Sequence, residues 1–400
     1  MHEHKHNQCK RKVKHRKNVM KLIIFCITVG ISLMFIYYQN LRKEIDARQK
    51  WLETVLTGEK KWILENQGPE GEFYMNGSKA GDVNPYFACM AALGLLAETK
   101  NCPITETEKK AVGRYLDWHT GILLETDGKM GIYRKKSGKL IYKEKADSED
   151  GYLGMYLFLM VKYLEKTEST DLPEYWKKGI SLALKKIQSL MQDGITQVSE
   201  ENTTVYLMDN LEVWKGLYEL EHAGLKDVQA IREMRNKLQA QIEKLFWDDA
   251  NQRWRIIENS DLYHQKEFYP DGVAQIYPLI YEFPVKEKKK QKILYKQFTE
   301  KFQWQKLTKK RNGFLWAMTG MAAAQMGDIN NLLEMIRNYE TEYCENRKYP
   351  LYTGEAGWIC MECKKLYSLY EKNKNRILGL TGLPAFCKLL QNIKYVLFRQ

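Results

Sequence analysis

The residues best suited to chemistry are carboxylic acids set among aromatic side chains, at points where polar loops run into strongly apolar helical stretches. The densest run is Ala146-Asp147-Ser148-Glu149-Asp150-Gly151-Tyr152, directly ahead of the apolar YLGMYLFLMVKYL. Asp147 and Asp150 are spaced i,i+3, so both can face one side of a first helical turn. Such a pair reads either as a helix cap with its capping-box partner or as two acids at the mouth of a buried helix, favoured there by the helix dipole. A second cluster, Gln67-Gly68-Pro69-Glu70-Gly71-Glu72, precedes Asp82-Val83-Asn84-Pro85-Tyr86. It offers Glu72, with Glu70 and Asp82, as proton donors, or else forms a polar turn. A third, Phe268-Tyr269-Pro270-Asp271-Gly272, places Asp271 beside Tyr269. Asp209 lies inside a helical pattern, where a cap does not account for it. It requires either a buried hydrogen-bond partner or a role in an inner cavity.

Asp147, Asp150, Glu72 and Asp271 are therefore the candidate catalytic acids. Tyr86, Tyr152, Asp209, Tyr269, Trp316 and Trp358 are the candidate substrate-binding residues. Paired carboxyls can cleave an acetal: one, kept protonated, donates to the glycosidic oxygen, and the other activates water or attacks the sugar. Burial and neighbouring carboxylates raise the pKa of the first, while Tyr and Trp stack on sugar faces. No metal or organic cofactor is implied. Cys360 and Cys363, at i,i+3 in a helical pattern, read as packed thiols, since a zinc site needs two further ligands that do not present themselves. His264, in DLYHQKEFYPDG, is the one histidine placed to serve a lyase on the same scaffold.

From residue 41 the apolar residues recur with helical period. The pattern predicts twelve helices, over 41–66, 84–99, 106–123, 147–167, 173–192, 203–224, 227–246, 271–284, 286–303, 312–326, 328–344 and 354–371. Connections after the odd-numbered helices are long and those after the even-numbered ones short. Helical hairpins whose long loops all lie at one end predict an all-α (α/α)6 toroid, with a cleft built over the inner helices. GIYRKKSGKLIYK and LFWDDANQRWRII each predict a small β-hairpin. No Rossmann, P-loop or GxSxG signature occurs.

The 400 residues carry a formal charge of +13. Residues 1–21 hold eight Lys/Arg and one acid, so more than half of the excess is a short tail and a basic stripe over the whole protein is excluded. The tail contains His2, His4, His6 and His15 among basic neighbours and reads as a solvated, lipid-facing cytoplasmic segment. Leu22 to Tyr38 has no charged residue and spans roughly 25 Å as a helix, at the short end for a bilayer core. It predicts an uncleaved transmembrane anchor at 22–38, with the basic flank inside and the body, 41–371, outside the cell membrane. Residues 286–311, with eleven Lys/Arg and two Glu, read as a solvated outer helix. Nucleic acid is not an expected partner. The remaining 372–400 read as a C-terminal tail or a further packing helix.

These segments resemble the six-hairpin (α/α)6 glycosidase superfamily, nearest to divergent relatives of glycoside hydrolase family 8. The resemblance rests on Asn84–Cys89, Asp147–Tyr152, Asp209–Glu212 and Tyr269–Pro278, which are similar to the stretches N-P-Y-F-x-N, D-S-x-D-x-Y, D-N-x-E and Y-P-D-x-x-A-Q-x-x-P. It covers roughly residues 50–375. Ala146-Asp147-Ser148-Glu149-Asp150 is similar to the family's A-T-D-x-D, with Asp150 at its second Asp and Ser148 where the first would stand. The family's general acid lies in a Ser-Glu-Gly-x-x-Tyr-Gly-like stretch. Here that place reads Val83-Asn84-Pro85-Tyr86-Phe87-Ala88, with no Glu, which leaves the acid to another loop or absent. The resemblance implies a membrane-anchored glycoside hydrolase acting on an extracellular or envelope polysaccharide. The alternative is a non-catalytic glycan-binding or scaffolding protein of a cell-surface polysaccharide system.

Overall fold

The computed structural model describes residues 2–77, 81–136, 139–168, 172–225, 227–258, 267–307, 311 and 313–380. Contacts divide the chain into two units, Leu52–Leu369 and Met1–Trp51 with Tyr370–Gln400. His264 and most of the 372–400 segment lie outside the described residues.

Twelve α-helices are present among the described residues: α1 (His2–Glu65), α2 (Pro85–Leu95), α3 (Glu106–Glu125), α4 (Glu149–Thr167), α5 (Glu174–Leu190), α6 (Leu207–Ala223), α7 (Val228–Phe246), α8 (Val273–Ile280), α9 (Lys288–Phe302), α10 (Thr319–Met326), α11 (Ile329–Tyr339) and α12 (Thr353–Leu380). Each falls within or overlaps one predicted span. The first differs most: α1 is continuous from the basic tail through the apolar stretch to Glu65. Its segment from Lys14 is long and apolar enough to cross a membrane. In the other unit, Arg48 donates to the Tyr370 hydroxyl at 3.1 Å and Gln49 to Glu371 at 2.8 Å.

In the larger unit the even-numbered helices form the inner layer of the toroid. α2, α4, α6 and α8 bury most of their residues. α5, α7, α9 and α11 bury a single stripe and turn Lys, Glu and Gln outward, the ordinary pattern for a helix with one solvated face. α9 carries the basic run on its exposed side, as expected. Inner helices approach closely where glycine removes the side chain. A Cβ on Gly154 of α4 would lie 2.7 Å from the Glu212 backbone of α6, and one on Gly216 would lie 2.4 Å from the Gly154 carbonyl oxygen. Gly94 and Gly357 meet in the same way between α2 and α12. Cys360 and Cys363 are buried free thiols of the core, as anticipated.

Local chemistry sets the helix starts that matter for the site. Asn84 accepts from the Tyr86 N–H with Pro85 in the first turn, which fixes the entry of α2. Ser148, not Asp147, caps α4, accepting from the Gly151 N–H at 3.2 Å. The cap reading therefore fails for Asp147, whose side chain is left for solvent and cleft. Long connections hold short strands. β1 (Asp82–Val83), β2 (Gly131–Lys136) and β3 (Lys139–Lys145) form an antiparallel sheet in that order. β4 (Met191–Gln192) pairs with β5 (Ile195–Thr196), and β6 (Trp247–Asp248) pairs with β7 (Arg253–Trp254). Both predicted hairpins are thus present. β1 leads into Asn84 and β3 into Asp147, so this sheet ends at the inner-helix mouths.

Candidate active site

A cavity of about 210 Å³ opens over the N-terminal ends of the inner helices. Asp147 and Tyr152 come from the start of α4, Asp209 and Glu212 from α6, and Glu355 and Trp358 from α12. Tyr86 from α2, Tyr277 from α8, and Tyr269, Phe314 and Trp316 from the connections complete the wall. All six predicted binding residues and Asp147 line this one space. Among the described residues its lining contains no Lys, Arg or His.

Glu212 closes the D-N-x-E stretch but is not among the candidate site residues read from the sequence. It is buried, and its Oε1 accepts from the hydroxyls of Tyr277 at 2.6 Å, Tyr281 at 3.2 Å and Tyr86. Burial pushes its pKa up to about 8; the tyrosine hydrogen bonds oppose that rise without cancelling it. The available signal was its i,i+3 spacing from Asp209, which places both acids on one face of α6. Asp209 is held well above the ordinary carboxylate range by burial and then by the charges of Asp150 and Glu212. Asp147 is the exposed acid of the set, in contact with the Tyr152 hydroxyl.

Glu355 organises the opposite wall. Its carboxylate is buried and accepts three consecutive backbone N–H groups, from Leu315 and Trp316 at 3.1 Å and from Ala317 at 2.8 Å. Burial still lifts it to about 7. The three bonds hold Trp316 at φ +58°, a left-handed conformation that non-glycine residues seldom adopt. The indole then lies 4.5 Å from the Tyr269 ring at 32°, and Phe314 stacks on Phe87 at 5.4 Å. Offset aromatic faces at an acidic cavity form an apolar platform with polar edges.

Three predicted acids lie elsewhere. Asp150 is fully buried behind Ser148, where its carboxyl contacts Ser148 Oγ at 2.8 Å and Thr196 Oγ1 at 2.7 Å. Burial raises it to about 6. Glu72 folds back on its own loop, accepting from the Tyr74 hydroxyl at 2.8 Å and the Glu70 N–H at 3.0 Å, and it is not among the cavity residues. Asp271 lines a different cavity, with Trp254, Gln275 and Phe302, because the turn at Phe268–Gly272 carries Tyr269 and Asp271 to different sides. His119 is buried against Cys89 and Tyr115, and burial depresses it to about 3. It is therefore neutral and enclosed. No group of three or more His, Cys, Asp or Glu with the geometry to hold a metal occurs among the described residues.

No family model matches the sequence, and no curated protein matches it. Solved structures do match. A glycosidase aligns with a TM-score of 0.59 at 13% identity, over 82% of this chain and 98% of that one. An inactive variant of an alpha-1,6-mannanase of Salegentibacter sp., in complex with alpha-1,6-mannotetrose, aligns with a TM-score of 0.53 at 10% identity, over 79% and 99%. An alpha-amylase from Clostridium perfringens aligns with a TM-score of 0.51 at 13% identity, over 78% and 97%. The chain has the six-hairpin toroid fold. At these identities the likeness is one of fold, and the fold is shared by several glycosidase families.

Proposed function

We propose that this protein is a membrane-anchored glycoside hydrolase that cleaves an extracellular or envelope polysaccharide. The observation that carries this reading is the one cavity that gathers Asp147, Asp209, Glu212 and Glu355 with an aromatic wall and, among the described residues, has no cationic side chain in its lining. Glu212 is the proton donor. With a pKa of about 8 it retains its proton at neutral pH, as a general acid must. It takes the place of the glutamate absent from the family 8 position near Tyr86. Asp147, the solvent-facing carboxylate, activates water or attacks the anomeric carbon. Asp209, which lines the same cavity, binds sugar hydroxyls. Tyr269 and Trp316 offer stacking faces, and the acids of the described lining disfavour anionic sugars at the scissile bond. The apolar segment of α1 anchors the enzyme, with its basic flank on the cytoplasmic side.

The test uses the full-length protein in detergent, incubated with neutral, amino and acidic polysaccharides. Reducing-end release is expected from at least one neutral glycan, declining as pH rises through about 8. Glu212→Gln should lower kcat/KM by about 10³ while the protein still binds the glycan. Binding by wild type with no release on any polymer would overturn the hydrolase reading in favour of a glycan-binding protein.

A further inference from the structure

The hydrogen bonds behind the cavity fix the protonation of Asp150. Asn210 has one orientation, because its Nδ2 donates to the carbonyl oxygens of Thr196 and Tyr206, both at 2.9 Å. Its Oδ1 therefore faces Thr196 and accepts that residue's backbone N–H at 2.9 Å. Thr196 Oγ1 lies 2.8 Å from this amide oxygen and 2.7 Å from Asp150 Oδ2. A hydroxyl has a single hydrogen to give. If Thr196 gave it to Asp150, two oxygens without a proton between them would face each other at hydrogen-bond distance in a fully buried site. Given to Asn210, it leaves the Asp150 contact to be closed by a proton on Asp150 Oδ2. Asp150 Oδ1 accepts from Ser148 Oγ at 2.8 Å, and the contact of Ser148 with Asp209 is then closed by a proton on Asp209, which burial also favours. One oxygen donating and one accepting is the pattern of a carboxylic acid.

We propose that Asp150 is a neutral positioning residue, donating to Thr196 and accepting from Ser148, which ties the first turn of α4 to β5 and α6. Every member of the chain Asp150, Thr196, Asn210 is buried. The titratable groups that face Asp150 from α6 are Asp209 and Glu212, both themselves held above the ordinary carboxylate range, so neither is a cation that would favour the ionised form of Asp150. β5 contributes only the Thr196 hydroxyl to it. The Ser148 cap is held from beneath, and the cap sets where Asp147 stands at the cavity mouth. Asp150 thus belongs to the frame of the site, although its spacing from Asp147 resembles a catalytic pair. Only the kinetic arm of the test rests on the hydrolase reading.

An asparagine reproduces this pattern, with its amide donating to Thr196 and its oxygen accepting from Ser148. In full-length protein in detergent at pH 5, where an ordinary aspartate is ionised, infrared difference spectra of wild type minus Asp150→Asn should contain a protonated-carboxyl band. Asp150→Asn should keep kcat/KM within about fivefold of wild type, whereas Asp150→Ala, which leaves Thr196 and Ser148 without a partner, should lose about twentyfold or more. If Asp150→Ala does not fold, the infrared comparison on Asp150→Asn decides alone. A carboxylate band in place of the acid band, or a folded Asp150→Asn as inactive as Asp150→Ala, overturns the proposal. Wild type with no activity on any glycan would defeat the hydrolase reading and leave the infrared result to judge Asp150.

Discussion

Replacing Glu212 by Gln removes a buried titrating group with little change of shape, and the consequence for stability follows from the site. In the folded chain burial raises Glu212 from 4.5 to about 8, while the unfolded chain restores the ordinary value. Below pH 4.5 both states carry the proton, and the stabilisation is fully present. Between 4.5 and about 8 unfolding releases the proton, so stability falls with rising pH by about 1.4 kcal/mol per pH unit. Above about 8 the folded state loses the proton as well and the slope vanishes. Across the window the loss is about 5 kcal/mol, comparable with the whole stability of many domains. In the Glu212→Gln variant the amide oxygen still accepts from the three tyrosines, but the side chain does not titrate. The assay is urea unfolding of wild type and variant, in the same detergent, at pH 5, 6, 7 and 8. The two proteins should be nearly equally stable at pH 5, with the variant ahead by about 4 kcal/mol at pH 8. A stability difference that stays constant across this range would mean that Glu212 is ionised at neutral pH. It could not then be the proton donor.

The remaining predictions concern the walls of the cavity and the frame behind them. Trp316→Ala or Tyr269→Ala removes the 4.5 Å aromatic pair and should raise KM by about tenfold with a smaller change in kcat, read from initial rates of reducing-end release. Glu355→Ala leaves the N–H groups of Leu315, Trp316 and Ala317 without their acceptor. It should cost about 3 kcal/mol in a thermal melt, with Glu355→Gln falling between it and wild type. Gly154→Ala drives a methyl to 2.7 Å from the Glu212 backbone and should destabilise by about 1–3 kcal/mol. The same substitution at Gly58, also inside a helix but with nothing within 4 Å of the added carbon, serves as a control for the Gly→Ala change without the close contact.

The helices were legible because each buries a long apolar face, and the alternation of connection lengths gave the hairpin arrangement. The aromatic candidates were legible for a related reason: they stand at the ends of those faces, where loop and helix meet. The acids were harder. Asp147, Glu72 and Asp271 look alike as sequence, each in a polar loop next to a helix start. Only tertiary structure shows that Glu72 is taken by Tyr74 and the Glu70 N–H, and that the chain path at Tyr269 to Asp271 sends the two side chains to different cavities. The cap could have been either Asp147 or Ser148, and a single-residue shift exchanged an exposed acid for a buried one. Glu212 was within reach through its spacing from Asp209. The neighbouring Leu211, Val213 and Trp214 made that stretch read as ordinary core, and the three tyrosines that surround it come from α2, α8 and the residue just after α8, far away in sequence.

The contact of Gly154 with Gly216 separates two things that enzymes often have to change together. The spacing between α4 and α6 is set by backbone against backbone in the core, so Glu212 and the Ser148 cap beside which Asp147 stands keep their distance while the more remote loops change. Connections at the open end can be lengthened, exchanged or grafted from a relative, and the new loops would meet the same chemical centre. Substrate range on this scaffold is therefore free to drift through insertions and deletions, while the two glycines stay closed to almost every substitution.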